Sequence, residues 1–251
     1  MTAEKLAAEN LSLTRGGRLV LQQLSSSLNP GEITAICGPN GAGKSSLLMC
    51  LAGLLNPTVG SIALGKRALA DMPARDRAMA LGYLPQSADV AWDVSVESLV
   101  TLGRLPHRDR GTEQVEAAIA DLALDELRSR RVSRLSGGER ARALLARVLA
   151  GTPRWILADE PLAALDLSHQ LALVSHLRAC AASGQGVVIV LHDLALAMNH
   201  ADRVLVLRDG RLVADGTPEQ ALSPEVIANG WGLEAEWLGE PGARALRTRS
   251  A

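Results

Sequence analysis

The run Gly38-Pro39-Asn40-Gly41-Ala42-Gly43-Lys44-Ser45 follows a short apolar segment, Ile33 to Cys37, and leads into a helically periodic stretch, Ser45 to Leu55. A strand, a glycine-rich turn and a helix in that order commit the chain to an α/β core. The glycines let successive backbone N–H groups converge without a Cβ in the way, and the helix adds the positive end of its dipole. That convergence is a phosphate site. The G-x-x-x-x-G-K-[ST] spacing puts Lys44 on the β- and γ-phosphates of a nucleoside triphosphate, with the Ser45 hydroxyl, beside Ser46, suited to Mg²⁺.

The 251-residue chain fits one domain built on that unit. Leu11, Leu13, Leu19, Leu21 and Leu24 alternate around Gly16-Gly17, which predicts an antiparallel hairpin at the N-terminus. Strands are expected at Ser61–Leu64, Leu81–Leu84, Trp155–Ala158, Val187–Leu191 and Arg203–Leu207, with Arg211–Ala214 turned back at Asp209-Gly210. Helices are expected at Val94–Leu102, Thr112–Leu127, Gly137–Leu149, Leu167–Ala181, Asp193–His200 and Ser223–Ala228. Buried strands alternating with helices imply a mixed, mostly parallel sheet, with an antiparallel β subdomain before it and a helical subdomain inserted at about 87–150. One domain is expected over residues 1–232. Residues 233–251 are expected to form a tail that frays from Gly239 onward, where Pro, Gly and three arginines gather.

Aromatic residues make up 2% of the chain and Phe is absent, so the core must be aliphatic. A net charge of −1 gives no reason to expect nucleic acid. Cys37, Cys50 and Cys180 are scattered and odd in number, which suits a reducing cytosol rather than a disulfide framework. No apolar run approaches the roughly 18 residues of a spanning helix, so any work at a membrane needs a partner that spans it.

Two further stretches carry chemistry. Trp155-Ile156-Leu157-Ala158 delivers Asp159 and Glu160 at the carboxyl end of a strand, the edge where parallel sheets bind ligands. Asp159 suits Mg²⁺, and Glu160 suits a general base toward water attacking the γ-phosphate. In Leu135-Ser136-Gly137-Gly138-Glu139, Ser136 and Glu139 have capping-box spacing. The cap leaves two adjacent glycines unexplained, since they weaken a helix start unless something approaches closely. Bare N–H groups there make a second anion site, which a second copy of the chain could bring across to the first copy's triphosphate.

The order of Gly38–Ser45, Gln86, Leu135–Glu139, Ile156–Pro161, Ala164-Leu165-Asp166 and His192 resembles the ATP-binding cassette (ABC) family over about Leu11 to Ala228. The resemblance implies an ABC-type P-loop NTPase and a head-to-tail homodimer. In it, two Mg·ATP are held between the phosphate loop of one subunit and the Ser136–Glu139 signature of the other. It further implies that Gln86 contacts Mg²⁺ and water and couples to a membrane permease. Asp166 would reach across the dimer, and His192 would touch the γ-phosphate. The aromatic ring the family usually places near Arg15 to stack on adenine is absent, leaving the guanidinium plane of Arg15 as the substitute. Hydroxyl residues usual before Leu165-Asp166 are absent too.

Thr101-Leu102-Gly103-Arg104-Leu105-Pro106-His107 and Asp166-Leu167-Ser168-His169-Gln170 look like the importers of ferric siderophores, haem and vitamin B12. That group implies a peripheral ATPase on the cytoplasmic face of the membrane, with permease subunits and a substrate-binding protein. The first of these stretches, with Trp92 and Val94 near it, is the expected permease contact. Exporter subunits and soluble cassette ATPases are the alternatives, and a nucleotide-sensing adaptor is disfavoured because Lys44 and Glu160 are both present.

Overall fold

The computed structural model describes residues 4–86, 93–163 and 165–249; Trp92 and Ala164 lie outside the described residues. The first two strands, β1 (Leu6–Arg15) and β2 (Arg18–Leu28), form the expected hairpin. Then come β3 (Ile33–Cys37), α1 (Lys44–Leu51), β4 (Val59–Leu64), β5 (Arg67–Ala68), α2 (Ala74–Ala80) and β6 (Leu81–Leu84). The insert contributes α3 (Val96–Thr101), α4 (Thr112–Asp121) and α5 (Gly137–Ala150). After it run β7 (Trp155–Asp159), α6 (Leu167–Ala182), β8 (Gly186–Val190), α7 (Leu194–His200), β9 (Arg203–Arg208) and β10 (Arg211–Gly216). The chain continues through α8 (Pro218–Ala221), α9 (Pro224–Trp231), β11 (Glu234–Leu238) and β12 (Ala245–Arg249).

The central sheet has the order β10-β9-β3-β8-β7-β6, parallel throughout except for the antiparallel edge strand β10. All five residues of β3, of β7 and of β8 are buried, as expected for strands covered on both faces. The period-2 alternation divides their side chains between two cores. Ile36, Leu157, Val188 and Val190 pack with α1 and the β2-β1-β4-β5 sheet. Ala35, Ile156, Val187 and Ile189 pack with α5, α6, α7 and the helical insert. Because β3, β8, β7 and β6 are adjacent and parallel, their carboxyl ends deliver the phosphate loop, His192, Asp159-Glu160 and Gln86 to one edge in that order.

Three expectations are corrected. The first helix stops at Leu51 rather than Leu55, since Gly53 takes φ 67° and its N–H turns back to the Cys50 carbonyl (2.8 Å). The 112–127 helix ends at Asp121, because Ala123 enters the left-handed region (φ 49°) and a short 3₁₀ turn follows. The tail is a β11–β12 hairpin rather than a frayed end. Its Trp237 indole N–H donates to the Leu222 carbonyl (2.7 Å), and Trp237 and Leu246 pack on the core. Asn199 of α7 exchanges two 2.8 Å hydrogen bonds with the backbone of Arg244. Those long-range anchors are invisible in local composition.

Candidate functional site

The phosphate loop depends on glycine at two positions. Gly38 has φ 148°, and a Cβ there would come within 2.2 Å of the Leu207 carbonyl oxygen of β9. Gly43, at φ 99°, begins α1, and a Cβ there would meet Leu21 of β2 at 2.8 Å. The loop therefore lies flat between the two sheets. The pocket above it is lined by Asn40 to Ser46 together with Val20, Glu160 and His192.

Lys44 is 5% exposed and its Nζ donates to the carbonyls of Gly38 (2.9 Å) and Pro39 (3.0 Å). Burial lowers its pKa, with Glu160 pulling the other way. An ammonium held by two neutral carbonyls has desolvation left to offset, and a polyphosphate supplies the opposite charge. Ser45 Oγ donates to Asp159 Oδ1 (3.1 Å) across from the end of β7. Burial raises the Asp159 carboxyl above its usual range, partly offset by the Ser45 bond and raised further by Glu160. Burial, reinforced by Asp159, pushes the Tyr83 hydroxyl of β6 up to about 12.

A buried carboxylate beside a hydroxyl is an oxygen pair fit for a hard divalent cation. Mg²⁺ takes few protein ligands and completes its shell with phosphate oxygens and water. Among the described residues no three of His, Cys, Asp and Glu cluster into a metal cage.

Glu160 is the junction of the site. It adopts φ 47°, a left-handed conformation costing a non-glycine residue about 1–2 kcal/mol. Gln86 Nε2 donates to its Oε2 (2.5 Å), and His192 Nε2 is in close hydrogen-bond contact with its Oε1. Three strand ends thus converge on one carboxylate. Water attacking a phosphate seated on the loop can be oriented and deprotonated there.

The signature residues sit elsewhere. None of Ser136, Gly137, Gly138 or Glu139 lines this pocket. Ser136 caps α5, its Oγ accepting from the Glu139 N–H (3.3 Å) while Glu139 Oε2 accepts from the Ser136 N–H (2.8 Å). Glu139 also pairs with Arg130 (3.1 Å), and its carboxyl is held below the usual range, chiefly by the Ser136 backbone bond. Its work is local: it fixes the helix start and leaves Gly137 and Gly138 bare. Asp166 caps α6, and the His169 backbone N–H leads the bonds that hold its carboxyl at about 2.

Arg15 is exposed at the end of β1, paired across the turn with Arg18, and does not line the pocket. Val20 of β2 does, an apolar contact that sequence reading missed because nothing local distinguishes it from its neighbours. The stretch expected to meet a permease is divided. Arg104 is buried, bonded bidentately to Asp109 (2.9 and 2.7 Å) and to the Ala150 carbonyl (3.1 Å). His107 Nε2 reaches the Gly151 carbonyl (2.9 Å). Both close the carboxyl end of α5, leaving Leu102 and Leu105 exposed at 40% and 69%. Val94 is half-buried against the core.

The sequence pattern of the ABC transporter family matches residues 21–163. The hemin import ATP-binding protein HmuV of Gloeobacter violaceus is 42% identical over 248 residues, covering 94% of this chain and 90% of that protein. HmuV of Pseudomonas aeruginosa is 45% identical over 237 residues, covering 91% and 93%. Among solved structures, a metal-chelate type ABC transporter in an inward-facing conformation superposes with a TM-score of 0.82 at 28% identity, covering 98% of this chain and 97% of that one. A bacterial Atm1-family exporter with ATP bound gives 0.81 at 27% identity, covering 92% of this chain and 41% of that one.

Proposed function

The chain belongs to the ABC transporter family, and on that premise we propose that it is the ATP-hydrolysing subunit of an importer for haem. The observation that carries the cargo is identity of 42–45% to hemin import ATP-binding proteins over more than nine-tenths of the chain. The ATP site by itself does not specify the cargo or the direction of transport. The haem reading is narrower than the siderophore, haem and vitamin B12 group that the sequence motifs pointed to.

In the proposed cycle, the N–H groups of Gly41 to Ser46 and the Lys44 ammonium take the β- and γ-phosphates of ATP. Ser45 and Asp159, joined by Gln86, would hold Mg²⁺, whose charge offsets that of the phosphate oxygens. Ser136 and Gly138 of a second copy close on the same nucleotide, and Asp166 crosses the dimer beside them. Glu160 accepts the proton of the attacking water while His192 steadies the γ-phosphate. Departure of phosphate removes the charge holding the halves together, and the copies separate. Gln86, bonded to Glu160 at one end of its loop, passes that change toward the permease. Among the described residues no helix is long and apolar enough to cross a membrane, and in this reading the permease supplies the path. The subunit then works from the cytoplasmic face, with a substrate-binding protein delivering haem on the other side.

Lys44→Ala is expected to weaken ATP binding about ten- to a hundredfold, the size of a lost charged hydrogen bond in a partly dry site. Titration with a fluorescent ATP analogue measures it, and unchanged affinity would remove Lys44 from the site. The cargo is tested in proteoliposomes holding this chain and its co-purified permease. ATP-driven accumulation of haem is expected; accumulation of cobalamin or a ferric siderophore, with none of haem, would overturn the haem reading and leave the ATPase intact.

A further inference from the structure

The His169-Gln170 dipeptide stands outside the cycle just described, and the paired glycines of the signature enter it only through their outer face. The structure brings them together. A Cβ built on Gly138 would lie 3.0 Å from Cδ2, 3.1 Å from Cγ and 3.2 Å from Nε2 of His169, so the imidazole rests on bare backbone at the start of α5. The same ring's Nδ1 is 2.7 Å from Asp166 Oδ1, which also accepts the His169 N–H (2.9 Å) and the Ser168 hydroxyl (2.8 Å). One residue on, Gln170 Nε2 donates to the carbonyls of Leu162 (3.2 Å) and Leu165 (3.1 Å). The first turn of α6 therefore grips the turn after β7 on one side and touches the signature on the other.

We propose that His169 is a positioning residue that bridges Asp166 to Gly138, so that the two surfaces this subunit presents to its partner's ATP move as one body. The proposal rests on the ATP-sandwich dimer described above. The physical basis is rigidity. Asp166 is anchored by three bonds from Ser168 and His169, and Gln170 ties two backbone carbonyls of the preceding turn to α6. The imidazole transmits any displacement of that turn to the signature by direct contact. A side chain at 138 would crowd the ring on this side and make it give by a few tenths of an ångström. With the bridge intact, ATP captured at one half-site draws the signature and Asp166 together toward it. Without it, each engages separately and the two half-sites lose their cooperation.

Two variants separate the ends of the bridge. His169→Ala removes both contacts, while His169→Phe keeps a ring against Gly138 and abolishes the bond to Asp166. The purified chain is assayed for ATP hydrolysis against ATP concentration. The same substitutions placed in a Glu160→Gln background are assayed for ATP-dependent dimer by size exclusion. Both variants are expected to lose about two- to thirtyfold in kcat, the range over which residues coupling two sites act. The Hill coefficient should fall toward about 1 from a ceiling of about 2 set by the two sites. Nucleotide affinity under conditions where the chain is monomeric should not change, which a general loss of folding would not spare. His169→Phe hydrolysing with the cooperativity and kcat of the parent would overturn the bridge. If Glu160→Gln with His169 intact forms no ATP-dependent dimer, the sandwich reading fails first and takes the bridge with it.

Discussion

Glu160→Gln is expected to cut ATP turnover by about 10²–10⁴-fold while leaving nucleotide binding in place, the range a positioned general base contributes. The geometry predicts that the substitution removes chemistry without disturbing structure. Oε2 of Glu160 accepts from Gln86, so the new amide must keep its oxygen there and turn its NH₂ toward His192. A neutral imidazole can meet that NH₂ by carrying its proton on Nδ1 and accepting at Nε2. Both contacts survive, the left-handed turn at residue 160 survives, and only the basic oxygen is lost. Binding without turnover should accumulate a closed dimer, since nothing removes the γ-phosphate that holds it. Phosphate release measures the first effect and size exclusion with ATP the second. Hydrolysis at the parent rate would show that Glu160 is not the base. A variant that neither hydrolyses nor binds ATP would show that the carboxylate shapes the pocket instead.

The parts of this site legible in the sequence are those whose chemistry is local. The phosphate loop, the Asp159-Glu160 pair ending an apolar strand and the Ser136/Glu139 cap each declare themselves within eight residues. The strands they sit on follow from continuous burial. The sequence could not reveal contacts made by distant segments with unremarkable neighbours. Val20 enters the pocket only because β2 passes over α1, and the closeness of His169 to Gly138 shows only once α6 is in place. Arg104 and His107 looked like surface recognition residues, yet they turn inward to close α5, because a helix end leaves carbonyls that need donors. The C-terminal hairpin was hidden for a related reason. Its strands are short and charged, and they are anchored by Trp237 reaching back to Leu222 and by Asn199 of α7 holding the Arg244 backbone.

Trp155→Ala should be the costliest single change in the core, about 3–5 kcal/mol of stability. Trp155 is fully buried at the start of β7 in a chain with no Phe, and among the described residues no other aromatic ring is one of the largest fully buried side chains. Its indole N–H donates to the Glu4 carbonyl (2.8 Å), fastening the segment before β1 to the central sheet. The ring lies flat on Gly186 of β8, where a Cβ would come within 2.3 Å of it. Small aliphatic neighbours cannot refill a void of indole size, so the cavity term adds to the lost burial. For a domain of this size each kcal/mol moves Tm by about 2–4 °C, giving a fall of about 6–20 °C by thermal melting. Gly186→Ala should also destabilise the parent, because strand and ring compete for one space. Combined with Trp155→Ala it should cost little or partly refill the hole, so the two changes are strongly non-additive. Additive losses would show that the ring and the glycine do not share that space. Trp155 also begins the strand whose far end carries Asp159 and Glu160, about 13 Å away at 3.3 Å per residue. ATP at 100 times its Kd adds about 2.7 kcal/mol to any fold that still binds it. The variant's Tm should therefore rise with ATP as the parent's does, and a variant that ATP no longer stabilises would mean that Trp155 supports the site as well as the core.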